Sequence, residues 1–472
     1  MSDPRLNCCF LSHFAIKRLS PLFWWRRRWL ARTQWWSQTE LKQLQIRLLR
    51  RLIRHCHATV PYYREVMDRC RIRPDDIRTL EDLAVFPILS KAEVAMQGLN
   101  LVSRKYPRQL VHETQTGGTT GTPIHLYRDI FSIANEHAFV RRQFRWAGVG
   151  WRDRGAILLA QRIADPNRCG NGLWRYNCLM KELVFSSYHL ALDTARLYLE
   201  VMKSHRIAYM YVFPSVLNIL CRAKEECGID LRLRSIMTTA ETLPRPLQER
   251  AQAVFGCRVF DNYGSSERVC YICSCEQGSY HVVPEYGYTE FLPVQGQSNR
   301  FRVVATGFWN YAMPLVRYDT GDIVSLASQP CSCGRQFAAV ESIVGREGDI
   351  VKTVSGKEYG PAILTYLVRG TDHVLESRIV QDAMDHITIE YVPTGQFTES
   401  DLVSFHQSIK KHLPGELAYS LQRVQAIERS AGGKFRPVVS QICRMHPALS
   451  GRAQPSRTLS GNANRVASSL LD

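Results

Sequence analysis

Residues 207–241 read IAYMYVFPSVLNILCRAKEECGIDLRLRSIMTTAE, and their pattern decides the fold class. The runs IAYMYVFP and SIMTTAE are short, apolar and rich in β-branched and aromatic residues, as buried strands are. Between them, PSVLNILCRAKEEC has apolar residues at helical spacing. Strands that alternate with helices in this way predict a mainly parallel α/β sheet.

The alternation continues on both sides of this stretch. GAILLAQ, residues 155–161, is strand-like, and PRPLQERAQAVFG, residues 244–256, is helix-like. Residues 280–327 are β-rich, and the pattern changes again near VGREGDIVKT, after which residues 345–440 have a compact α+β character. We therefore predict an α/β protein with a large multi-layer N-terminal domain of mixed sheets and helices and a small α+β C-terminal domain.

Four segments follow from these changes in character. They are a basic aromatic N-terminal segment, a large domain, a small domain and a Ser- and Arg-rich tail, at residues 1–37, 38–344, 345–440 and 441–472. We expect the tail to be disordered because it lacks the apolar residues to form a core.

The start of the large domain reads as an amphipathic helix over residues 38–56, capped by Ser37 or Thr39. Its apolar face would carry Leu41, Leu44, Leu48, Leu52 and Cys56. The preceding 37 residues are expected to be irregular. Their cluster FWWRRRWLARTQWW could lie at a bilayer interface or pack against the body of the protein through cation–π contacts, and the sequence leaves both interpretations open.

The net charge of +18 is concentrated at the ends of the chain. Residues 1–60 contain 12 Lys or Arg and 2 Asp or Glu, whereas the central body is close to balanced. The body has no helix-turn-helix or RNA-binding signature, so we expect no specific nucleic-acid partner. A secretory signal and an apolar run long enough to span a bilayer are both absent from the sequence, and we expect a cytoplasmic protein, with peripheral contact to the inner face of the membrane as an alternative.

The stretch VHETQTGGTTGTPIHLYRD, residues 111–129, has the glycines and threonines of a phosphate-binding loop. Glycine allows a tight backbone, and threonine adds hydroxyl donors beside the backbone N–H groups. A Walker loop would require a lysine after the last glycine, but Thr122 and Pro123 follow Gly121. The Rossmann pattern fails as well, so the loop predicts phosphate binding of another kind.

Four further motifs follow this loop in order: DNYGSSE (261–267), RYDTGD (317–322), VGREGD (344–349) and GGKFRP (432–437). The ordered set resembles the adenylate-forming superfamily, which includes acyl-CoA synthetases. More narrowly, together with FPILSKAEV and CSCGR, it resembles the branch of phenylacetate–CoA ligases and CapK-like proteins. The resemblance covers roughly residues 38–440 and implies ATP-dependent formation of an acyl-adenylate from a carboxylic acid, followed by transfer to a thiol, most simply CoA.

The resemblance also assigns roles to residues. The phosphate loop would be Thr116, Gly117, Gly118, Thr119, Thr120 and Gly121. Glu267 would bind Mg²⁺, and Asp322 would accept hydrogen bonds from the ribose of ATP. The nucleotide would also be contacted by Ala240, Glu241, Asn262, Tyr263, Gly264 and Arg346.

Lys434 is the sharpest assignment that the resemblance makes. It follows two glycines, in the glycine-containing stretch AGGKFRP that is expected to form a turn of the small domain. In such enzymes this lysine reaches the carboxylate and the α-phosphate, where a cation offsets charge that builds up in the transition state. The resemblance further implies that the small domain is mobile and rotates about a hinge at or near Asp349, so that one site serves two half-reactions.

Six metal-ligating side chains lie in two groups of the sequence. The first is CYICSCEQGSYH, with Cys270, Cys273, Cys275 and His281, and the second is CSC, with Cys331 and Cys333. Thiolates and imidazole suit a tetrahedral zinc ion in a reducing compartment. The residue types alone leave open which four would bind. The family resemblance selects Cys275, His281, Cys331 and Cys333.

Two alternatives to the ligase interpretation remain. One is an adenylyltransferase that acts on a hydroxyl acceptor or cofactor without forming a thioester. The other is a non-catalytic scaffold in a membrane-associated polysaccharide assembly complex. The presence of Glu267, Asp322 and Lys434 argues against a scaffold, which would not need all three. The identity of the acid is open, with Phe139, Phe144 and Phe213 as candidate pocket residues, and a homodimer is considered as the oligomeric state.

Overall fold

The structure is a computed structural model. It describes residues 20–107, 109, 111–115, 124–159, 172–186, 190, 192–295, 297–346, 351–354, 358–359, 364–368, 373–413, 415, 417–428 and 436–442. The phosphate-loop residues 116–121, Asp349, Lys434 and the tail from residue 443 lie outside the described residues. Arg346 is described by its backbone only.

Nine α-helices are formed by the described residues. In chain order, α1 to α9 are Pro21–Thr33, Gln38–Thr59, Pro61–Cys70, Lys91–Gln97, Ile130–Trp146, Leu192–Ser204, Pro214–Cys227, Arg245–Phe255 and Glu399–His412.

Twenty β-strands are described. Strands β1 to β10 are Val111–Gln115, His125–Asp129, Gly155–Leu158, Trp174–Asn177, Glu182–Phe185, Tyr209–Val212, Ser235–Thr239, Arg258–Gly264, Tyr271–Ser274 and Tyr280–Val282. Strands β11 to β20 are Gly287–Pro293, Phe301–Gly307, Tyr318–Leu326, Ala339–Arg346, Val351–Lys352, Glu358–Tyr359, Val374–Ala383, His386–Pro393, Ala418–Arg423 and Val438–Ser440.

One twelve-stranded sheet carries most of the chain, in the order β11-β12-β13-β14-β10-β9-β8-β7-β6-β3-β5-β4. Its parallel part is the run from β8 to β5, and the β11–β14 end is antiparallel. The stretch 207–241 forms β6, α7 and β7, with Tyr209 opposite Ser235 in a parallel pair. The predicted α/β class is confirmed, and so is the parallel pairing around residues 207–241. The prediction of a mainly parallel sheet is wrong for the sheet as a whole, because the strands from β11 to β9 and the edge strand β4 pair antiparallel.

A second, smaller sheet has the order β19-β18-β17-β20. Helix α9 covers it with Phe405 and Ile409, which are buried in a separate core with Ile379, Ile387 and Ile389. The change of pattern that the sequence shows near residue 344 thus corresponds to a change of sheet and of core. The segment boundaries themselves remain a prediction, and strand β14 continues to Arg346.

The predicted helix over 38–56 is observed as α2, which continues to Thr59. Ser37 is its cap, because its hydroxyl accepts a hydrogen bond from the Glu40 N–H while the Glu40 side chain accepts one from the Ser37 N–H. Four of the five predicted face residues are buried. Leu48 is half-buried, and Leu49 and Ile53 are buried in addition.

The expectation of an irregular N-terminal segment is wrong for residues 21–33, which form α1. The buried positions of α1 are Phe23, Arg26, Leu30 and Thr33, which have helical spacing. Because one of the four is an arginine, the apolar period is broken in the sequence. The sequence pattern therefore does not predict this helix, because the partners that allow Arg26 to be buried have to be known first.

Arg26 is a buried cation held by aromatic rings. Its guanidinium lies 3.7 Å from the ring centre of Trp309 and 4.6 Å from that of Trp29, and its Nε donates to Asn135 Oδ1 at 2.8 Å. Burial lowers the pKa of Arg26 to about 10, so the side chain stays charged at neutral pH. This confirms that the Trp/Arg cluster packs against the protein body through cation–π contacts.

No helix in the described part of the chain is both long enough and apolar enough to cross a bilayer.

The buried and exposed arginines of α1 give a matched test of this packing. We expect Arg26→Ala to lower the stability of the protein by about 3 kcal/mol, because it leaves a cavity and an unpaired Asn135. Arg28→Ala should change stability by less than about 0.5 kcal/mol, because Arg28 is exposed. Urea unfolding followed by tryptophan fluorescence measures both. Equal effects of the two substitutions would contradict a structural role for Arg26.

Candidate functional site

The carboxyl ends of the parallel strands β7 and β8 meet at one edge of the large sheet. The side chain of Asn262 joins them, because its Oδ1 accepts from the Thr239 hydroxyl at 2.8 Å and its Nδ2 donates to the Thr238 carbonyl at 3.1 Å. Directly after β7, Ala240 has a φ of 68°, in the left-handed region that non-glycine residues rarely adopt. The chain therefore turns sharply at the position predicted to line the adenine pocket.

Glu241 follows this turn, and its carboxylate is engaged in hydrogen bonds within the protein. Its carboxylate accepts hydrogen bonds from the backbone N–H of Ser215 at 2.8 Å and from the Ser215 hydroxyl at 3.0 Å. Ser215 is in the first turn of α7, where N–H groups lack partners within the helix and an anion is stabilised. Glu241 thus fixes α7 to the turn after β7, and its contact with a nucleotide remains a prediction.

Tyr263 and Asp322, predicted to contact base and ribose, lie side by side. The Tyr263 hydroxyl donates to Asp322 Oδ2 at 2.5 Å. Burial, reinforced by the carboxylate of Asp322, raises the pKa of Tyr263 well above its usual value, so the tyrosine is the donor. Asp322 in turn pairs through its backbone with Arg346 on β14. Three predicted nucleotide residues are therefore brought together.

This contact requires the large sheet to curve. Strands β8 and β13 are separated in the sheet by β14, β10 and β9. In a flat sheet this would place them about 19 Å apart, at about 4.8 Å per step. The hydrogen bond between Tyr263 and Asp322 is possible because the sheet twists and folds over between them. The site lies inside that curve.

Glu267, the predicted magnesium ligand, is buried in the turn after β8. Its Oε1 accepts a hydrogen bond from the Tyr318 hydroxyl at 3.0 Å. The guanidinium of Arg128, on β2, donates to the carbonyl of the neighbouring residue Ser266. Because β2 directly follows the predicted phosphate loop, Arg128 connects the strand that carries that loop to the turn that carries Glu267. Sequence reasoning missed both Tyr318 and Arg128.

Two glycines let the turn that carries Glu267 pack directly on strands β11 and β12. A Cβ atom on Gly307 would lie 2.3 Å from the Arg268 carbonyl oxygen, and one on Gly287 would lie 2.4 Å from that of Val269. No side chain could be accommodated at such distances without moving the backbone. The close approach places the backbone of Arg268 and Val269 directly against strands β11 and β12.

A buried acid lies beneath the same edge. Asp261 accepts hydrogen bonds from the hydroxyls of Thr238 and Tyr280, at 2.5 and 2.8 Å. Burial raises its pKa to about 6. Asp261 is the first residue of the DNYGSSE motif, and the hydrogen bonds show that it ties β8 to the strands beside it.

The aromatic residues proposed for an acid pocket are mostly core residues. Phe139 packs against Tyr286, with ring centres 5.0 Å apart, and Phe144 against Tyr209, at 5.4 Å. Both are almost completely buried. Their surroundings are those of ordinary core side chains rather than of a substrate pocket.

The cysteine and histidine cluster is formed as the family resemblance predicts. The ligand atoms of Cys275, His281, Cys331 and Cys333 all lie within 4.8 Å of one another. The Sγ atoms of Cys275 and Cys331 are 3.6 Å apart, and Cys333 Sγ is 3.3 Å from His281 Nε2. Ligands about 2.0–2.3 Å from a tetrahedral zinc ion are separated by about 3.3–3.8 Å, so these two separations are those of a tetrahedral site.

Further features of the cluster suit a metal site. Burial lowers the pKa of His281, which keeps its imidazole neutral and able to act as a ligand. The backbone N–H of Gln277 points to Cys275 Sγ at 3.3 Å, a contact that stabilises a thiolate. Cys270 and Cys273 are buried among apolar residues of two core clusters. They are outside the group that could share one ion.

Comparisons with known proteins agree with this architecture. The family model described as AMP-binding enzyme matches residues 114–300, and the CapK C-terminal domain model matches residues 351–441. Protein CapK of Staphylococcus aureus is 21% identical over 408 residues, covering 85% of this chain and 90% of that protein. A phenylacetate–coenzyme A ligase of Aromatoleum evansii is 24% identical over 437 residues, covering 86% and 95%.

Among solved structures, a 2-hydroxyisobutyryl-CoA ligase in the postadenylation state, in complex with R3-HIB-AMP, has the same fold. Its TM-score is 0.67 at 17% identity, with 89% of this chain and 93% of that chain covered. Both family models, the relatives and the fold point the same way. The chain belongs to the adenylate-forming superfamily, in the branch of phenylacetate–CoA ligases and CapK-like proteins.

Proposed function

We propose that the protein is an AMP-forming acid–thiol ligase that activates a carboxylic acid with ATP and transfers the acyl group to CoA. The observation that carries this proposal is that strand β13 contacts both Tyr263 and Glu267, since its Asp322 accepts a hydrogen bond from the first and its Tyr318 donates one to the second. An aromatic ring can stack on the base, one carboxylate can accept from the ribose hydroxyls, and a second carboxylate can bind Mg²⁺.

Each of these side chains has a separate role in adenylation. The Tyr263 ring provides a flat face for the base, and its hydroxyl orients Asp322 toward the ribose hydroxyls. Glu267 offers a hard oxygen ligand for Mg²⁺, which when bound neutralises phosphate charge as pyrophosphate leaves. The loop Thr116–Gly121 would hold the departing phosphates with backbone N–H groups and hydroxyls, since it lacks a Walker lysine.

Lys434 would complete the site from the small domain, which we propose to be mobile about a hinge near Asp349. The substrate carboxylate attacks the α-phosphorus of ATP, so negative charge accumulates on the α-phosphoryl oxygens. A lysine ammonium delivered there stabilises that charge. After pyrophosphate and the lysine have moved away, a thiol can reach the acyl carbon and displace AMP.

The acid and the final acceptor are the parts to be determined. A thioester product would establish the ligase. An adenylylated hydroxyl compound formed without a thioester would establish the alternative transferase. The relatives include ligases named for phenylacetate and the protein CapK. The candidate substrates are therefore an aromatic acid and an acid that is a building block of a capsule or exopolysaccharide. Because ATP and CoA are supplied in the cytoplasm, we place the reaction there.

The proposal is tested by screening carboxylic acids for pyrophosphate release by the purified protein, with and without CoA. We expect one class of acids to trigger release, and CoA to convert the product from acyl-AMP to acyl-CoA. If no acid triggers pyrophosphate release while ATP still binds, the ligase proposal is wrong. Release with hydroxyl compounds would then indicate the transferase, and no release with either class would indicate the scaffold.

Lys434→Ala should reduce acid-dependent ATP–pyrophosphate exchange by about 100- to 1000-fold, the usual cost of removing one preorganised charge. Lys410→Ala is the matched control, because Lys410 is an exposed lysine of α9 in the same domain. Near-wild-type exchange in Lys434→Ala would remove Lys434 from the mechanism.

Tyr318 positions the proposed magnesium ligand. Tyr318→Phe keeps the buried ring but removes the hydroxyl that holds Glu267 Oε1. We expect about a tenfold increase in the Mg²⁺ concentration needed for half-maximal pyrophosphate exchange, as for other partners of metal ligands.

The control for Tyr318→Phe is Tyr198→Phe, which removes one equally buried hydroxyl from its bond to the Ser186 carbonyl. Tyr198 is on α6, away from Glu267. The Tyr198→Phe variant should therefore need the same Mg²⁺ concentration for half-maximal exchange as the wild type. An unchanged Mg²⁺ requirement in Tyr318→Phe would mean that the hydroxyl has a structural role only.

We also propose that Cys275, His281, Cys331 and Cys333 hold a structural zinc ion. Metal analysis of the purified protein should find about one zinc per chain, since four protein ligands close a structural site. The double variant Cys331→Ala/Cys333→Ala should lose it. Cys273→Ala should retain it, because Cys273 belongs to the apolar core. Zinc-free wild-type protein, or loss of zinc in Cys273→Ala, would overturn the assignment.

A further inference from the structure

Helix α1 and the turn after it present one exposed stripe. Among residues 20–36, the exposed side chains are Pro21, Trp25, Arg28, Arg32 and Trp35. Their spacing of three and four residues places the helical ones on one face. Trp25 is 58% exposed and Trp35 is 55% exposed. We call Trp25, Arg28, Arg32 and Trp35 the basic aromatic stripe.

The stripe is positively charged without compensation. No Asp or Glu occurs between residues 20 and 39. Within the described part of the chain, no salt bridge to a carboxylate is formed by Arg28, Arg32 or the neighbouring Arg27 and Arg145. Burial, together with the nearby cations Arg145, Arg141 and Arg28, lowers the pKa of Arg27. The electrostatics of this surface therefore favour an anionic partner.

The stripe is held rigidly by the side of α1 that faces the protein. Besides the cation–π contacts of Arg26, the Thr33 hydroxyl donates to the buried Glu285 at 2.7 Å, and Glu285 is paired with Arg142 at 2.7 Å. The Trp146 indole donates to Gln34 Oε1 at 2.7 Å. These contacts fix the helix before any partner binds, so little ordering entropy opposes docking.

The second tryptophan of the stripe is also anchored. Arg335 places its guanidinium 4.9 Å from the ring centre of Trp35 and 4.0 Å from that of Trp146. Arg335 also forms a salt bridge with Glu276 at 2.9 Å. Trp35 therefore keeps one side against Arg335 while more than half of its surface faces solvent.

We propose that the basic aromatic stripe docks the protein on an anionic lipid surface. Tryptophan combines an apolar body with an N–H donor and is favoured at the depth of lipid headgroups, and arginine binds headgroup phosphates. Trp25, Arg28 and Arg32 lie on the outer face of α1, and Trp35 is exposed in the turn directly after it, so a lipid surface that meets this face can contact tryptophan and arginine together. Single-stranded nucleic acid is bound mainly in grooves that follow the backbone, and a convex helix face provides no groove.

The experiment is sedimentation of the full-length protein with vesicles. Vesicles of phosphatidylcholine with about 30% phosphatidylglycerol, a typical anionic content, should bind the protein. Vesicles of pure phosphatidylcholine should bind it much more weakly. Raising the salt concentration should weaken binding, because surface charges are screened. Arg28→Gln/Arg32→Gln should weaken binding roughly 25-fold, at about fivefold for each arginine. Trp25→Ala/Trp35→Ala should weaken it about tenfold by removing the inserted apolar surface.

Matched controls separate the stripe from general charge and general hydrophobicity. Arg47→Gln/Arg69→Gln removes two exposed arginines from α2 and α3, and Met96→Ala/Leu99→Ala removes two exposed apolar side chains from the region of α4. Both controls should bind vesicles like the wild type. Acid-dependent pyrophosphate release should be unchanged in all four variants, which also separates this proposal from the catalytic one.

Several outcomes would overturn the proposal. They are no binding to anionic vesicles, equal binding by the stripe variants and the wild type, and equal losses in the stripe variants and the controls. Binding of a single-stranded RNA that the stripe variants lose, with no vesicle binding, would assign the surface to nucleic acid instead. A wild-type dimer that the tryptophan variant converts to a monomer, again without vesicle binding, would assign it to a second copy of the chain.

Discussion

The hydrogen bond between Tyr263 and Asp322 depends on the curvature of the large sheet, and the site depends on that curvature in turn. Five strands in the sheet order lead from β8 to β13, and the two side chains meet only because the sheet folds over between them. Tyr263 and Asp322 are 59 residues apart in the chain. The curve therefore brings together two strands that are not neighbours in the sheet.

Glu267 is held by elements from three parts of the chain. Tyr318 holds its carboxylate, Arg128 holds the carbonyl before it, and Gly287 and Gly307 let its turn settle onto the sheet. Glu267 is the proposed magnesium ligand, and such a ligand must be placed to within about half an ångström to favour the transition state. Such placement needs partners with no freedom to move. The buried tyrosine and the two close backbone contacts supply them.

The N-terminal helix shows how one buried charge can hide an element from sequence reasoning. Arg26 occupies a core position, but sequence patterns assign arginine to the surface. A buried arginine requires partners, and the local sequence does not reveal them. The partners, Trp309 and Asn135, lie more than 100 residues away. Once the inner face of α1 is known, the exposed positions of Trp25, Arg28 and Arg32 on its opposite side follow from the helical repeat.

The sequence by itself determined the parallel α/β unit of residues 207–241, because strand and helix periodicities are local. It determined the capped helix α2 for the same reason, and the order of the motifs was enough to indicate the family. Through that family resemblance it also selected the four members of the Cys/His cluster. Only the tertiary structure decided that Glu241 holds the start of α7, that Tyr318 and Arg128 support the Glu267 turn, and that Trp25 and Trp35 share an exposed stripe. Those features rest on contacts between residues distant in the chain, or on which side of a helix the core covers, and no local pattern encodes either.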